Sequence, residues 1–69
     1  MSIFEAVHLK RIGAARAMLR TEGRKNINEI ALACGYSDPG YFRRMFKRLT
    51  GLSPRKFRSL YSRMHVNAH

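Results

Sequence analysis

Apolar residues recur along this chain at helical spacing and nowhere alternate as in a strand, which predicts four helices and no sheet. The first runs from about Ile3 to Arg20. At roughly 100° per residue its apolar positions fall into two neighbouring stripes. Ile3, Val7, Ala14 and Met18 make one; Phe4, Ile12, Ala15 and Leu19 make the other, with His8 between its members. A surface helix normally shows one apolar face, so this one is expected to pack on two sides. His8 itself reads as a tolerated helix residue.

The polar stretch Thr21 to Lys25 forms a short loop, and Asn26 then caps a second helix. Glu29, three residues on, completes a capping-box pair with it. Ile27, Ile30, Ala31 and Cys34 form the buried face, and Gly35 stops the helix in a left-handed conformation. Ser37 is expected to cap the third helix, over about 38–50, with Asp38 at the positive end of its dipole and Pro39 in its first turn. Phe42, Met45, Phe46 and Leu49 are its apolar face, and Gly51 ends it. Ser53-Pro54 repeats the start signal for a last helix carrying Phe57, Leu60, Tyr61 and Met64, after which the tail is expected to fray.

Two short helices joined by the tight Gly35-Tyr36 turn, each with an apolar stripe, make the helix-turn-helix plan. In that plan the third helix is offered to the major groove of DNA. Ala31, four residues before the glycine, lets the two helices cross closely. The predicted fold is all-α, a homeodomain-like bundle with Ile30, Ala31, Phe42, Phe46 and Phe57 in its core.

Composition sharpens this picture. The chain has 69 residues and a formal net charge of +10, from fourteen Lys and Arg against four acids. Ten of the fourteen are arginine, whose planar fork matches phosphates and guanine edges. A chain this short buries roughly 60% of its unfolded surface, and its lone Cys34 cannot form an internal disulfide. With so few acids and no Ser/His/Asp set, paired carboxylates or phosphate-binding glycine loop, an enzyme is not expected. No cofactor is expected either. The longest apolar run, Ile30 to Cys34, is far short of the roughly 20 residues a membrane span needs. A cytoplasmic, nucleoid-associated location and a reducing compartment are the expectation.

The outward face of the third helix carries the candidate chemistry. Opposite the Phe42/Met45/Phe46/Leu49 stripe lie Gly40, Arg44 and Lys47, flanked by Arg43 and Arg48. Arg44 is best placed to reach base edges, one turn after a glycine that allows close approach. Lys47 and Arg48, nearer the helix end, are assigned to phosphates, which position a protein without reading sequence. The backbone amides from Ser53 to Lys56 form a helix N-terminus suited to a second phosphate. Arg55, Lys56 and Arg58 add positive charge there.

The run N-I-N-E-I-A-L-A-C-G-Y-S-D-P-G-Y-F-R-R-M-F-K-R-L-T-G-L-S-P-R-K-F-R, residues 26–58, resembles the second helix-turn-helix of AraC/XylS-type bacterial transcriptional regulators. R-I-G-A-A-R-A-M-L, residues 11–19, resembles the helix that links the two units of that module. The wording around D-P and T-G-L-S-P is most similar to the branch in which the module follows an amidase-like domain. The resemblance implies that Pro39, Gly40, Arg43 and Arg44 face bases, that Phe42 and Phe46 are core, and that Ser53, Pro54 and Arg58 start the final helix. Pro39 and Gly40 replace hydrogen-bonding side chains common in the family, so direct readout is expected to be poor at that end. It also implies that residues 1–69 are one partial DNA-binding domain, with the linker helix at about 3–20 and the helix-turn-helix plus final helix at about 26–63. S-I-F-E-A-V-H looks like the end of a first unit. An exposed apolar patch on helix one follows as an expectation.

Three functions compete on these residues. Sequence-specific duplex-DNA binding within a transcription regulator leads. The alternative is a protein-interaction module, pairing through helix one with another regulator subunit or with itself. Binding to a membrane surface would need a basic amphipathic helix with a continuous apolar face; helix one has such a face, but packing explains it, so no membrane partner is expected. No small-molecule ligand is expected. His65 and His69 stand four apart but lack further ligands, and structural zinc wants four. Cys34, Met18, Met45 and Met64 read as core.

Overall fold

The structure, a computed structural model, describes residues 1–62. Four helices follow in order: α1 (Ile3–Thr21), α2 (Ile27–Ala33), α3 (Pro39–Thr50) and α4 (Pro54–Tyr61). Each starts where a short polar side chain satisfies an orphan amide. Ser2 and Glu5 form a reciprocal capping box on α1, and Asn26 and Glu29 form another on α2 with both bonds at 2.8 Å. Ser53 Oγ accepts from the Lys56 amide at 3.1 Å to open α4.

At α3 the cap is Asp38, not Ser37: its carboxylate accepts from the Gly40 amide at 2.9 Å. The reason lies in the proline. Its fixed φ makes Pro39 the first helical residue and keeps the residue before it extended, so the capping position falls on Asp38.

Helix ends are set by two left-handed glycines, Gly35 (φ 97°) and Gly51 (φ 86°). After α2 the Tyr36 amide reaches back to Ala31 and the Gly35 amide to Leu32, the two bonds of a Schellman motif. This motif turns the chain sharply between α2 and α3.

All four helices converge on one core. Leu19, Ile30, Ala31, Phe42 and Phe46 are fully enclosed, and Ile12, Ala15, Cys34, Tyr36, Met45 and Phe57 are buried around them. An aromatic series runs through it: Tyr36 on Phe42 at 5.4 Å, Phe42 on Phe46 at 5.7 Å and Phe46 edge-on to Phe57 at 5.5 Å. The small side chains of Ala15 and Ala31 let helices approach around these rings.

Helix α1 buries one of its stripes and leaves most of the other outside. Ile12, Ala15 and Leu19 face the core, while Ile3, Val7 and Ala14 are exposed and Met18 is half-buried against it. Phe4 departs from its stripe: it is 58% exposed and covers His8 edge-on. His8 is more than a tolerated helix residue: it is part of the core, only 4% exposed, with Nδ1 sharing a 2.6 Å hydrogen bond with the Tyr36 hydroxyl. The Tyr41 hydroxyl lies 3.4 Å from Nε2 on its other side. The imidazole therefore joins α1 to both the turn and α3.

Helix α4 buries less than its spacing predicts. Phe57 is enclosed, but Leu60 and Tyr61 are 54% and 52% exposed, because the buried stripe of this short helix runs through Pro54, Phe57 and Ser62. Met64, the helix residue at 63, and the tail histidines His65 and His69 lie outside the described residues. Among the described residues no helix is long and apolar enough to cross a membrane.

Candidate nucleic-acid interface

The turn built on Gly35 and the cap on Asp38 set one face of α3 outward. Arg43, Arg44, Lys47 and Arg48 are exposed on it, while Pro39 and Gly40 at its start are half-buried. Arg43, Arg44, Lys47 and Arg48 line a shallow trough that Ser53, at the start of α4, closes at one side. Arg55 and Lys56 are exposed next to it. The structure thus brings Arg43, Arg44, Lys47, Arg48, Ser53 and Arg55 together across α3 and the start of α4.

Electrostatics favour an anion on that surface. The four carboxylates are each engaged in a local contact at a helix end. Glu5 bonds the Ser2 amide, Glu29 the Asn26 amide and Asp38 the Gly40 amide, while Glu22 pairs with Lys25 at 3.7 Å. The Ser2 hydrogen bonds hold the Glu5 carboxyl below its ordinary range, with a smaller contribution from the charge of Arg48. No carboxylate ion-pairs with Arg43, Arg44, Lys47, Arg48, Arg55 or Lys56 among the described residues.

Individual side chains differ. The Arg44 guanidinium leans back toward the start of α3, as helical side chains do, over the Tyr41 ring at 5.8 Å. It passes close to Gly40, where an added Cβ would stand 3.7 Å from Nη1. Arg43 instead reaches sideways, its Nη2 donating to Asn28 Oδ1 at 3.1 Å. Asn28, the exposed second residue of α2, has no place in any apolar period and so carries no signal in the sequence. Arg58 is not a free cation either: its Nη2 donates to the Lys25 carbonyl and its buried Nε has no partner, so it ties the α1–α2 loop to α4. At the α4 start, Pro54 has no amide hydrogen and the Lys56 amide is held by Ser53. The Ser53 and Arg55 amides are the donors which remain of the turn expected to bind phosphate.

Two further ionisable groups, Tyr36 and Cys34, belong to the core. Burial pushes the Tyr36 phenol above its ordinary value, the cation of Arg11 over its ring opposing this in part. Burial likewise raises the Cys34 thiol. Among the described residues no three His, Cys, Asp or Glu side chains stand close enough to hold a metal ion.

Comparison with known proteins places this geometry. A family described as "Helix-turn-helix domain" matches residues 1–59. HTH-type transcriptional activator RhaR from Yersinia pseudotuberculosis serotype O:1b (strain IP 31758) is 35% identical over 66 residues, covering 96% of this chain and 22% of that protein. Invasion protein InvF of Salmonella typhi is 40% identical over 47 residues, 67% of this chain and again 22% of the relative. Among solved structures, that of the xylose-binding transcription activator xylR superposes with a TM-score of 0.79 at 31% identity, covering 90% of this chain and 16% of that one. The chain spans about a fifth of the length of the curated relatives it matches.

Proposed function

Since this chain belongs to the helix-turn-helix family of AraC/XylS-type transcription regulators, we propose that it binds duplex DNA sequence-specifically with α3 in the major groove. Pro39 and Gly40 form the leading edge of α3, and Arg44 reads a base from that edge. An arginine fork on guanine discriminates against a wrong base by about 1–3 kcal/mol. Arg43 lies on the same edge. Lys47, Arg48, Ser53, Arg55 and Lys56 lie along the flanking phosphates, which fix register.

One observation carries the reading: six cations are exposed on α3 and the first turn of α4 while all four acidic side chains are occupied at helix ends. With a single reading helix, binding is weak and strongly salt-dependent, since each neutralised phosphate adds about −0.9 to the slope of log affinity on log salt. The reading also puts the chain in the bacterial cytoplasm, against the nucleoid. Fluorescence anisotropy with a panel of duplexes tests it. Arg44→Ala should weaken the preferred duplex about tenfold or more and flatten the ranking of the panel. Unchanged affinity for every duplex would sink the proposal.

A second reading draws on the exposed Ile3, Phe4 and Val7 of α1. On it the chain pairs with another protein chain, or with itself, through that apolar face. Sedimentation equilibrium separates the cases. A mass that rises with concentration, and falls back in Ile3→Ser/Val7→Ser, supports self-association; a monomer at every concentration rejects it.

A further inference from the structure

Arg43 and Asn28 stand fifteen residues apart in sequence, yet their side chains meet across the α2–α3 angle at 3.1 Å. A guanidinium has donors and no acceptor. The contact therefore fixes the Asn28 amide with Oδ1 toward Arg43 and Nδ2 turned away, adding two N–H donors beside the cation. Only one of Arg43's five N–H groups is used, and the rest remain available.

The surroundings say where that donor set points. Arg43 borders a notch whose other walls are Asn26 and Ile27 at the α2 start, Ser53, Pro54 and Arg55 at the α4 start, and Arg58. Three guanidinium groups from two helices edge the notch and no carboxylate lines it; Glu29, the nearest acid in sequence, is turned to the Asn26 amide. In a helix-turn-helix the first helix crosses the DNA backbone while the second enters the groove. A side chain tied back to α2 stands at the backbone, not at the groove floor.

We infer that Asn28 is a positioning residue which holds Arg43 on a backbone phosphate, leaving base readout to its neighbour Arg44. The inference rests on the DNA-binding reading and revises the base-facing role that the family resemblance implies for Arg43. The pair works as one unit. Asn28 restrains the guanidinium before DNA arrives, so less side-chain freedom is lost on binding. The adjacent arginines of α3 thus divide the labour, one anchoring and one reading.

A double-mutant cycle on the 69-residue chain tests this, with affinities measured on duplexes differing by one base pair at a time. Arg43→Ala should weaken all of them alike, by about tenfold, and lower the salt slope by about one. Asn28→Ala should cost about threefold in the parent and almost nothing in the Arg43→Ala background. In the free chain, the Arg43 side-chain NMR signal should lose its hydrogen-bonded shift in Asn28→Ala and keep it in Asn28→Asp, which retains an acceptor. Loss of preference at a single base pair in Arg43→Ala would overturn the inference, as would additive effects of the two substitutions. If the parent chain bound no duplex at all, the DNA-binding reading would fail and this inference with it. Binding without coupling would sink the inference alone.

Discussion

At the scale of single residues, Tyr36 carries the most consequences. Its ring packs on Phe42, its hydroxyl is bonded to His8, and Arg11 lies over its face at 5.4 Å. Because burial raises its phenol above the ordinary value of 10.0, the unfolded chain ionises first as pH rises. The folded state therefore keeps this stability in full below pH 10 and loses it as pH climbs through the raised folded value; Cys34 acts in the same sense from the thiol range. Thermal melts at pH 7 and pH 10.5 should show a larger drop for the parent chain than for Tyr36→Phe. That variant should start lower, by about 1 kcal/mol, for want of the His8 bond. His8 itself was legible in principle. Positions 8, 12, 15 and 19 are one helical stripe, but a titratable residue within it does not register as core until its distant partners Tyr36 and Tyr41 are seen.

Among the helices, beginnings were readable and long-range ties were not. Capping is local chemistry, so Asn26 and Ser53 announce their helices within four residues of sequence. The α3 cap lies one position beyond the one its capping residues suggest, because the proline's restriction on its neighbour outranks the choice between two good capping residues. Exposure of Leu60 and Tyr61 could not be read, since spacing records which residues share a face and not where the opposing wall ends. The Asn28–Arg43 and Arg58–Lys25 contacts have no periodicity to betray them, being set by how helices cross. Two glycines show how element context decides a substitution. Gly13 sits inside α1 with nothing within 4 Å of an added Cβ, so Gly13→Ala should stabilise the protein by about 0.5–1 kcal/mol through helix propensity alone. Gly35 holds a left-handed turn with Arg11 Nε 3.2 Å from its would-be Cβ. Gly35→Ala should cost about 1–2 kcal/mol, so the two variants should shift the melting temperature in opposite directions. A lowered value for Gly13→Ala would mean that its face of α1 is not open.

For the molecule as a whole, α1 is part of the domain and not an appendage to it. It supplies Ile12, Ala15 and Leu19, with His8, to the one core that all four helices share. Burying one large apolar side chain stabilises by about 1.5–3 kcal/mol, and a core of this size holds roughly 3–5 kcal/mol in total. A chain of residues 21–69 should consequently be unfolded by circular dichroism at 25 °C; a cooperative melt from it would show that α2 to α4 suffice. The same construction has a mechanical side. His8 touches the turn through one ring nitrogen and α3 through the other, and Arg11 clasps the turn again one helical turn later. Helix α1 is therefore fastened to the turn and to α3 at successive turns of its own length, so a displacement of its first turn is expected to carry α3 with it.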